Sequence, residues 1–197
     1  MLFRSEGTRP VRGRVYKLNP KYAEAVKVEL AKLEEAKIIV PIEHSEWLSP
    51  MVIAPKKNSN KIRVCVDFRA LNKSTIKDGF PMPFTERVLE DVAGHALYSF
   101  MDGFSGYNQV AIHPADQAKT AFITPWGTFI YTKMAFGLRN APPTFNRIVQ
   151  ITFGPLLLSF LRVFMDDFSN FTGIHSSTPT EAFQEHLLQL AAIFDKC

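Results

Sequence analysis

Two short apolar runs, Leu161–Met165 and Phe168–Phe171, meet at the acidic pair Asp166-Asp167. Each run is too short for an ordinary helix, and the acidic pair interrupts the apolar pattern, so the segment predicts a β-hairpin turning at the two aspartates. Side chains of neighbouring strand residues point to opposite faces, so both carboxylates converge only in a tight turn. Their neighbours Val163, Phe164, Met165 and Phe168 are apolar. Adjacent anions in such surroundings repel each other and lose hydration, and a divalent cation relieves both costs. The plainer reading is a solvated turn, a place that Asp favours in any case.

A third carboxylate strengthens the case for a metal. Leu97–Met101 predicts an apolar strand that delivers Asp102 at its end, with Gly103 and Gly106 marking the turn after it. Three carboxylates on the ends of adjacent strands suit two metal ions about 3.5–4 Å apart. In phosphoryl transfer such a pair activates the attacking hydroxyl and stabilises the leaving oxygen.

The rest of the chain predicts a mixed fold. Asn19-Pro20 is a helix start, and Tyr22, Val26, Leu30 and Leu33 then define an amphipathic helix to about Ala36. Met51–Ala54 and Lys61–Phe68 predict two strands joined by the polar turn at 57–60. In the second, Ile62, Val64, Val66 and Phe68 share one face and Arg63, Cys65, Asp67 and Arg69 the other. Cys65 is expected to be a small core residue. A short helix is predicted over Thr85–Val92, and a hairpin over Thr120–Thr124 and Thr128–Lys133 through Pro125-Trp126-Gly127. A helix carrying Phe145, Ile148, Val149 and Thr152 follows Asn140-Ala141-Pro142-Pro143, and a last amphipathic helix covers about Thr180–Asp195. Strands and helices mix without βαβ regularity, so the expected class is α+β with a largely antiparallel sheet.

Composition narrows the function classes. Nearly half of the 197 residues are hydrophobic and 17 are Phe, which excludes a disordered chain. No apolar run approaches the roughly 18–20 residues that cross a bilayer, and the start lacks the layout of a secretory signal. No membrane partner is expected, and the protein is expected to be soluble and intracellular. The net charge of +4 permits a nucleic-acid partner without requiring one. Its positive groups gather at Arg4, Arg9, Arg12, Arg14, Lys17 and Lys21, and again at Lys56, Lys57, Lys61, Arg63 and Arg69.

Four blocks occur in order: Val66-Asp67-Phe68-Arg69-Ala70-Leu71-Asn72, Asp102-Gly103-Phe104-Ser105-Gly106-Tyr107, Phe136-Gly137-Leu138-Arg139-Asn140-Ala141-Pro142 and Phe164-Met165-Asp166-Asp167. In order and spacing the chain resembles reverse transcriptases, RNA-directed DNA polymerases, and most closely those of gypsy-type LTR retrotransposons. His44–Pro50 and Pro55-Lys56-Lys57 extend the resemblance, which runs from about Tyr16 to the end.

The resemblance implies a right-hand polymerase fold of fingers and palm. Residues 1–18 would be a basic extended lead-in, 19–75 and 111–140 the fingers, and 76–110 and 141–197 the palm. Asp102, Asp166 and Asp167 would be the catalytic residues and hold two Mg²⁺ ions, with Mn²⁺ as an alternative, and Gly103 would offer its backbone carbonyl. Tyr107 resembles the aromatic gate beneath the incoming sugar, against a competing reading as core. Arg63 matches the fingers arginine on the triphosphate, for which a planar guanidinium is suited. Lys56 or Lys57 would be its companion, Lys57 being preferred, and Arg69 is equally suited to a structural ion pair. Phe136 and Gly137 would border the nucleotide pocket, the glycine allowing close backbone approach, while Phe164 and Met165 pack near the primer end.

Three positions depart from the family pattern: Phe164 stands where Tyr is usual, Pro143 where Ala is, and Asn146 where Gln is. None removes a metal ligand. The implied partners are an RNA or DNA template with its primer, deoxynucleoside triphosphates, and the thumb, connection and ribonuclease H regions of a parent polyprotein. Those regions are expected to be missing here, leaving a fragment truncated before the thumb. Its place would be the cytoplasm, within retrotransposon particles. The alternative is an inactive remnant that keeps the fold and binds nucleic acid.

Overall fold

A computed structural model describes residues 8–55, 62–173 and 178–197. Asn19 opens the first helix: its side chain accepts a hydrogen bond from the Lys21 amide at 3.0 Å, and α1 runs Pro20–Glu35 with Val26 and Leu30 buried. The chain divides into two units. One holds the residues up to Asp78 together with Tyr107–Ala141, and the other Gly79–Gly106 with Pro142–Cys197.

The first unit is built on a five-stranded sheet of order β1-β6-β5-β2-β3, from Ile39–Pro41, Ser49–Pro55, Ile62–Val66, Phe122–Thr124 and Gly127–Tyr131 as β1, β2, β3, β5 and β6. Its pairs are antiparallel except β2 with β5. The hairpin expected at Pro125-Trp126-Gly127 is present, and pairing of Thr124 with Gly127 leaves Pro125 and Trp126 as its two-residue loop. Phe122, Phe129 and Tyr131 fill the core, with Phe122 5.3 Å from Tyr131 between ring centroids. Burying a side chain of this size contributes about 1.5–3 kcal/mol. The lead-in is not wholly detached: Arg12 forms a parallel bridge with Leu48, and the Gly13 amide donates to the Leu48 carbonyl.

Three expectations for this unit change. β3 ends at Val66, and Arg69 begins a short helix, α2 (Arg69–Lys73), so Arg63 and Arg69 do not share a strand face. Arg69 instead grips Asp67, its Nε 2.8 Å from one carboxylate oxygen and its terminal nitrogen 2.6 Å from the other. This pair holds the Asp67 carboxyl below the usual carboxylate range. Cys65 is exposed, because the strand's alternation turns Ile62, Val64 and Val66 inward instead.

The second unit carries a three-stranded antiparallel sheet, order β4-β8-β7, from Leu97–Asp102, Asp167–Thr172 and Leu161–Phe164 as β4, β8 and β7. Helices α3 (Thr85–Val92), α5 (Ala141–Leu157) and α6 (Pro179–Phe194) accompany it; α4, in the first unit, is the single turn Pro114–Gln117. On α5 the buried stripe is Phe145, Val149 and Phe153 at steps of four, while Ile148 is exposed. Helix α6 has a capping box, Thr178 with Glu181. Its buried face is Ala182, His186, Gln189 and Ile193, whereas Phe183, Leu187, Leu188 and Phe194 are exposed.

Candidate active site

The sheet of the second unit positions the aspartates. Exposure alternates along β4, so Tyr98, Phe100 and Asp102 lie on the open face and Ser99 and Met101 on the other. In the antiparallel register Asp102 stands directly opposite Asp167. Directly opposed residues share a face, with Cβ atoms about 4.5–5.5 Å apart. Asp167 is also opposite Phe164, so the loop between β7 and β8 is Met165-Asp166. The acidic pair is therefore split, with Asp166 in the turn and Asp167 as the first residue of a strand, in place of the turn at both that the sequence suggests. The two-residue loop fits the twist of the hairpin only with a positive φ at its first position. Met165 supplies it, with φ +57°.

Gly103 joins the two aspartate-bearing segments. Its amide donates to the Asp166 carbonyl at 2.7 Å, and its own carbonyl accepts from the Gly106 amide at 2.8 Å. A Cβ on Gly103 would stand 3.2 Å from the Asp166 carbonyl oxygen and 3.3 Å from the Phe168 ring. Close approach thus explains this glycine. Ser105, in the turn after Asp102, also has a positive φ of +50°. Backbone in sparsely populated regions persists where the surroundings over-determine it, as they do at functional sites.

Asp102 and Asp167 are exposed and Asp166 is half-buried. Asp102 and Asp167 keep their water, so the case for a metal rests on their facing each other across the two strands and not on desolvation. Their oxygens are the hard donors that Mg²⁺ and Mn²⁺ take. In chemistry the donor set fits. Among the described residues no group of three His, Cys, Asp or Glu side chains is already positioned to hold an ion. Asp102 and Asp167 are a facing pair, and a third ligand has to rotate in.

Of the remaining site candidates, Arg63, Tyr107, Phe136 and Gly137 belong to the first unit, and Phe164 and Met165 to the second. Arg63 is exposed on β3, opposite Ala54, and Lys57 lies outside the described residues. Tyr107, in the short 3-10 turn Gly106–Gln109, is 5% exposed, and its ring centre is 4.7 Å from that of Phe136. Phe136 is 59% exposed, so the two rings make a surface wall with a buried base. Gly137 is explained by its φ of +90° and not by close approach, since an added Cβ would make only ordinary contacts at 3.7 Å. Phe164 is half-buried and Met165 is 38% exposed.

Two residues matter more than their sequence positions suggest. Asn72 donates to the Gly137 carbonyl and accepts from the Arg139 amide, both at 2.8 Å, which ties the first sequence block to the third. Arg162 pairs with Asp91 at 2.8 Å, donates to the carbonyls of Leu157 and Leu161, and lies over the Phe171 ring at 5.3 Å. The Arg162 hydrogen bond holds the Asp91 carboxyl below the usual carboxylate range. Only the recurrence of Asn72 within a motif block hinted at either role.

Residues 54–196 match the family model described as reverse transcriptase (RNA-dependent DNA polymerase). The Retrovirus-related Pol polyprotein from transposon 412 of Drosophila melanogaster is 29% identical over 95% of the chain, which spans 15% of that polyprotein. An RNA-directed DNA polymerase homolog from Oenothera berteroana is 34% identical over 67% of the chain and 89% of its own length. Among solved structures, the foamy viral protease-reverse transcriptase in complex with double-stranded DNA superposes with a TM-score of 0.84 at 22% identity, covering 98% of this chain and 32% of that one. The same protein in complex with RNA/DNA hybrid gives 0.83 at 22%, over 96% and 24%. At that identity the likeness establishes the fold, a reverse-transcriptase fingers and palm. Family model and relatives agree, and the chain belongs to the reverse transcriptase (RNA-dependent DNA polymerase) family.

Proposed function

We propose that this chain carries the nucleotidyl-transfer centre of a reverse transcriptase from a gypsy-type LTR retrotransposon polyprotein. It would add deoxynucleotides to the 3′-hydroxyl of a primer paired with an RNA or DNA template, the first unit acting as fingers and the second as palm. One observation carries the reading: Asp102 faces Asp167 across the sheet while Gly103 binds the Asp166 carbonyl, so three carboxylate positions gather at one end of three strands.

Divalent cations bound there, two Mg²⁺ or alternatively Mn²⁺, would supply the Lewis acidity that activates the hydroxyl and stabilises the leaving oxygen. Asp102 and Asp167 would hold them from the open face and Asp166 from the turn. The Gly103 carbonyl, already accepting from Gly106, would lend its second lone pair. Arg63, exposed on its strand, would grip the triphosphate bidentately, with Lys57 beside it. Tyr107 and Phe136, with Gly137, would wall the sugar, and Phe164 and Met165 would pack against the primer end. Duplex partners are supported by the foamy viral enzyme, whose structures hold double-stranded DNA or RNA/DNA hybrid. No helix among the described residues is long and apolar enough to cross a membrane, and the retroelement reading puts the protein in cytoplasmic particles.

Primer extension by the chain lengthened to the extent of its relatives tests this. Mg²⁺-dependent incorporation that Asp166→Asn abolishes is expected, and an Asp166→Asn variant as active as the parent sinks the metal assignment. The open arrangement of the carboxylates favours a second reading, an inactive remnant that retains nucleic-acid binding. Nucleotide binding by the 197-residue chain without any Mg²⁺ dependence would support that one.

A further inference from the structure

Behind the sheet that carries the aspartates, helix α6 presents a histidine that is only 6% exposed. His186 Nε2 is 2.8 Å from Ser99 Oγ of β4, and Nδ1 is 2.9 Å from Thr172 Oγ1 of β8. Ser99 lies an odd number of residues before Asp102, and Thr172 an odd number after Asp167. Both contacts therefore fall on the sheet face opposite the carboxylates. One imidazole spans the two strands whose pairing sets Asp102 against Asp167.

Chemistry fixes the direction of each bond. The Thr172 hydroxyl donates to Gln189 Oε1, and Gln189 Nε2 donates at 3.2 Å to the Glu185 carboxylate, which only accepts. The Thr172 proton is thus committed, and its oxygen is left to accept from His186 Nδ1–H. Nε2 is then the bare nitrogen and accepts from the Ser99 hydroxyl. Donors run in one sense from Ser99 through His186, Thr172 and Gln189 to Glu185. The Asn170 amide nitrogen is 3.3 Å from Nδ1, and its oxygen is buried with no partner among the described residues. With this amide turned over, its oxygen faces Nδ1 and shares the one Nδ1 proton with Thr172, while the amide nitrogen takes the buried position.

We propose that His186, held as the neutral Nδ1-protonated tautomer, is a positioning residue that ties β4 to β8 and so keeps Asp102 opposite Asp167. The groups bonded to the ring from β4 and β8 are the uncharged Ser99, Asn170 and Thr172, and Glu185 lies on the histidine's own helix, bonded to Gln189. Among the described residues no carboxylate bonds directly to the ring to welcome an imidazolium. Burial accordingly pulls the His186 pKa below its ordinary value. The effect on metal binding rests on the reading of the carboxylates as the reactive centre, whereas the tie between strands does not.

The test uses the 197-residue chain. Long-range ¹⁵N–¹H NMR of the imidazole should find the proton on Nδ1, and a ring protonated on Nε2 overturns the assignment. Mn²⁺ titration followed by electron paramagnetic resonance reads the carboxylate pair. His186→Ala and Ser99→Ala should each weaken Mn²⁺ binding by about tenfold, as loss of a group that orients a ligand does. His186→Asn, whose amide still donates toward Thr172, should recover part of the loss. The parent, and not His186→Asn, should lose affinity once the pH falls far enough to protonate the buried imidazole, which happens below its ordinary value near 6.5. Folded Ser99→Ala and His186→Ala chains that bind Mn²⁺ like the parent overturn the proposal. If His186→Ala does not fold, Ser99→Ala, which removes one oxygen, decides. A parent that binds no Mn²⁺ sinks the carboxylate reading instead. The tie is then judged by amide hydrogen exchange in β4 and β8, which Ser99→Ala should speed about tenfold, and unchanged exchange overturns it.

Discussion

The Gly103 amide donates to the Asp166 carbonyl at 2.7 Å, and this one bond fastens the segment leaving β4 to the turn between β7 and β8. Strand pairing by itself can slip by a residue, which would carry Asp102 to the far face of the sheet. The bond resists that slip at the end where the aspartates gather. It also holds the Asp166 backbone in place while leaving its side chain able to turn.

A methyl group at position 103 should therefore be felt at once. The added Cβ meets the Asp166 carbonyl oxygen at 3.2 Å and the Phe168 ring at 3.3 Å. The first of these is backbone and cannot swing aside. Gly103→Ala should destabilise the chain by about 1–3 kcal/mol, the range for overpacking, and weaken Mn²⁺ binding with it. Urea unfolding and a Mn²⁺ titration check both, and an unchanged unfolding midpoint would show that the two segments part without cost.

Removing one of the facing charges should have the opposite effect on stability. Asp102 and Asp167 are exposed and directly opposed, and like charges so placed repel. Asp102→Asn should raise stability by about 0.2–1 kcal/mol and abolish primer extension in the lengthened chain. Thermal melts beside activity assays separate the two effects. A fall in stability on neutralising Asp102 would mean that its carboxylate has a structural partner.

The candidate site stands out in the sequence more clearly than the elements that support it. The aspartates and the glycine after Asp102 stand out because charge and glycine interrupt apolar runs, and the cap at Asn19 follows from residue type alone. The split of Asp166 from Asp167 did not stand out, because either register satisfies the same apolar pattern and only the positive φ at Met165 selects between them. Helix α6 was the hardest to read. Its apolar Phe183, Leu187 and Leu188 face outward, while His186 and Gln189 are buried. Periodicity locates an amphipathic helix, but it cannot foresee a polar side that is buried because Ser99, Asn170 and Thr172 meet it with hydrogen bonds. Cys65 failed for a related reason, since strand alternation decides burial more strongly than residue size.

The buried His186 should make stability depend on pH. Its folded-state pKa lies below the ordinary value near 6.5 because burial disfavours the cation. The unfolded chain therefore takes up a proton first as the pH falls, so stability is full above about pH 6.5 and declines below it until the folded-state pKa is reached. The carboxylates of Asp67 and Asp91, with depressed pKa values, act in the same sense but only below about pH 4. Urea unfolding between pH 4.5 and 7.5 should show the decline in the parent and a flatter profile in His186→Asn. Equal slopes in the two would assign the effect to another group.

Met165 offers a way to separate fold from function within the turn itself. Its backbone sits at φ +57°, which costs an L-residue roughly 1–2 kcal/mol, and its side chain is 38% exposed. Glycine adopts that φ without the steric penalty, although it gives the unfolded chain more freedom, so the net gain from Met165→Gly should be at most about 1 kcal/mol. The Asp166 carbonyl and the Asp102–Asp167 register should stay as they are, because neither involves the methionine side chain. If Met165 packs against the primer end as proposed, the lengthened chain should then be firmer yet extend primers less well, with the loss mainly in the KM for primer and not in Mn²⁺ affinity. Melting, Mn²⁺ titration and primer-concentration series on one variant make the comparison. Lower stability would show that the thioether is part of the packing, and an unchanged KM for primer would remove Met165 from the primer end.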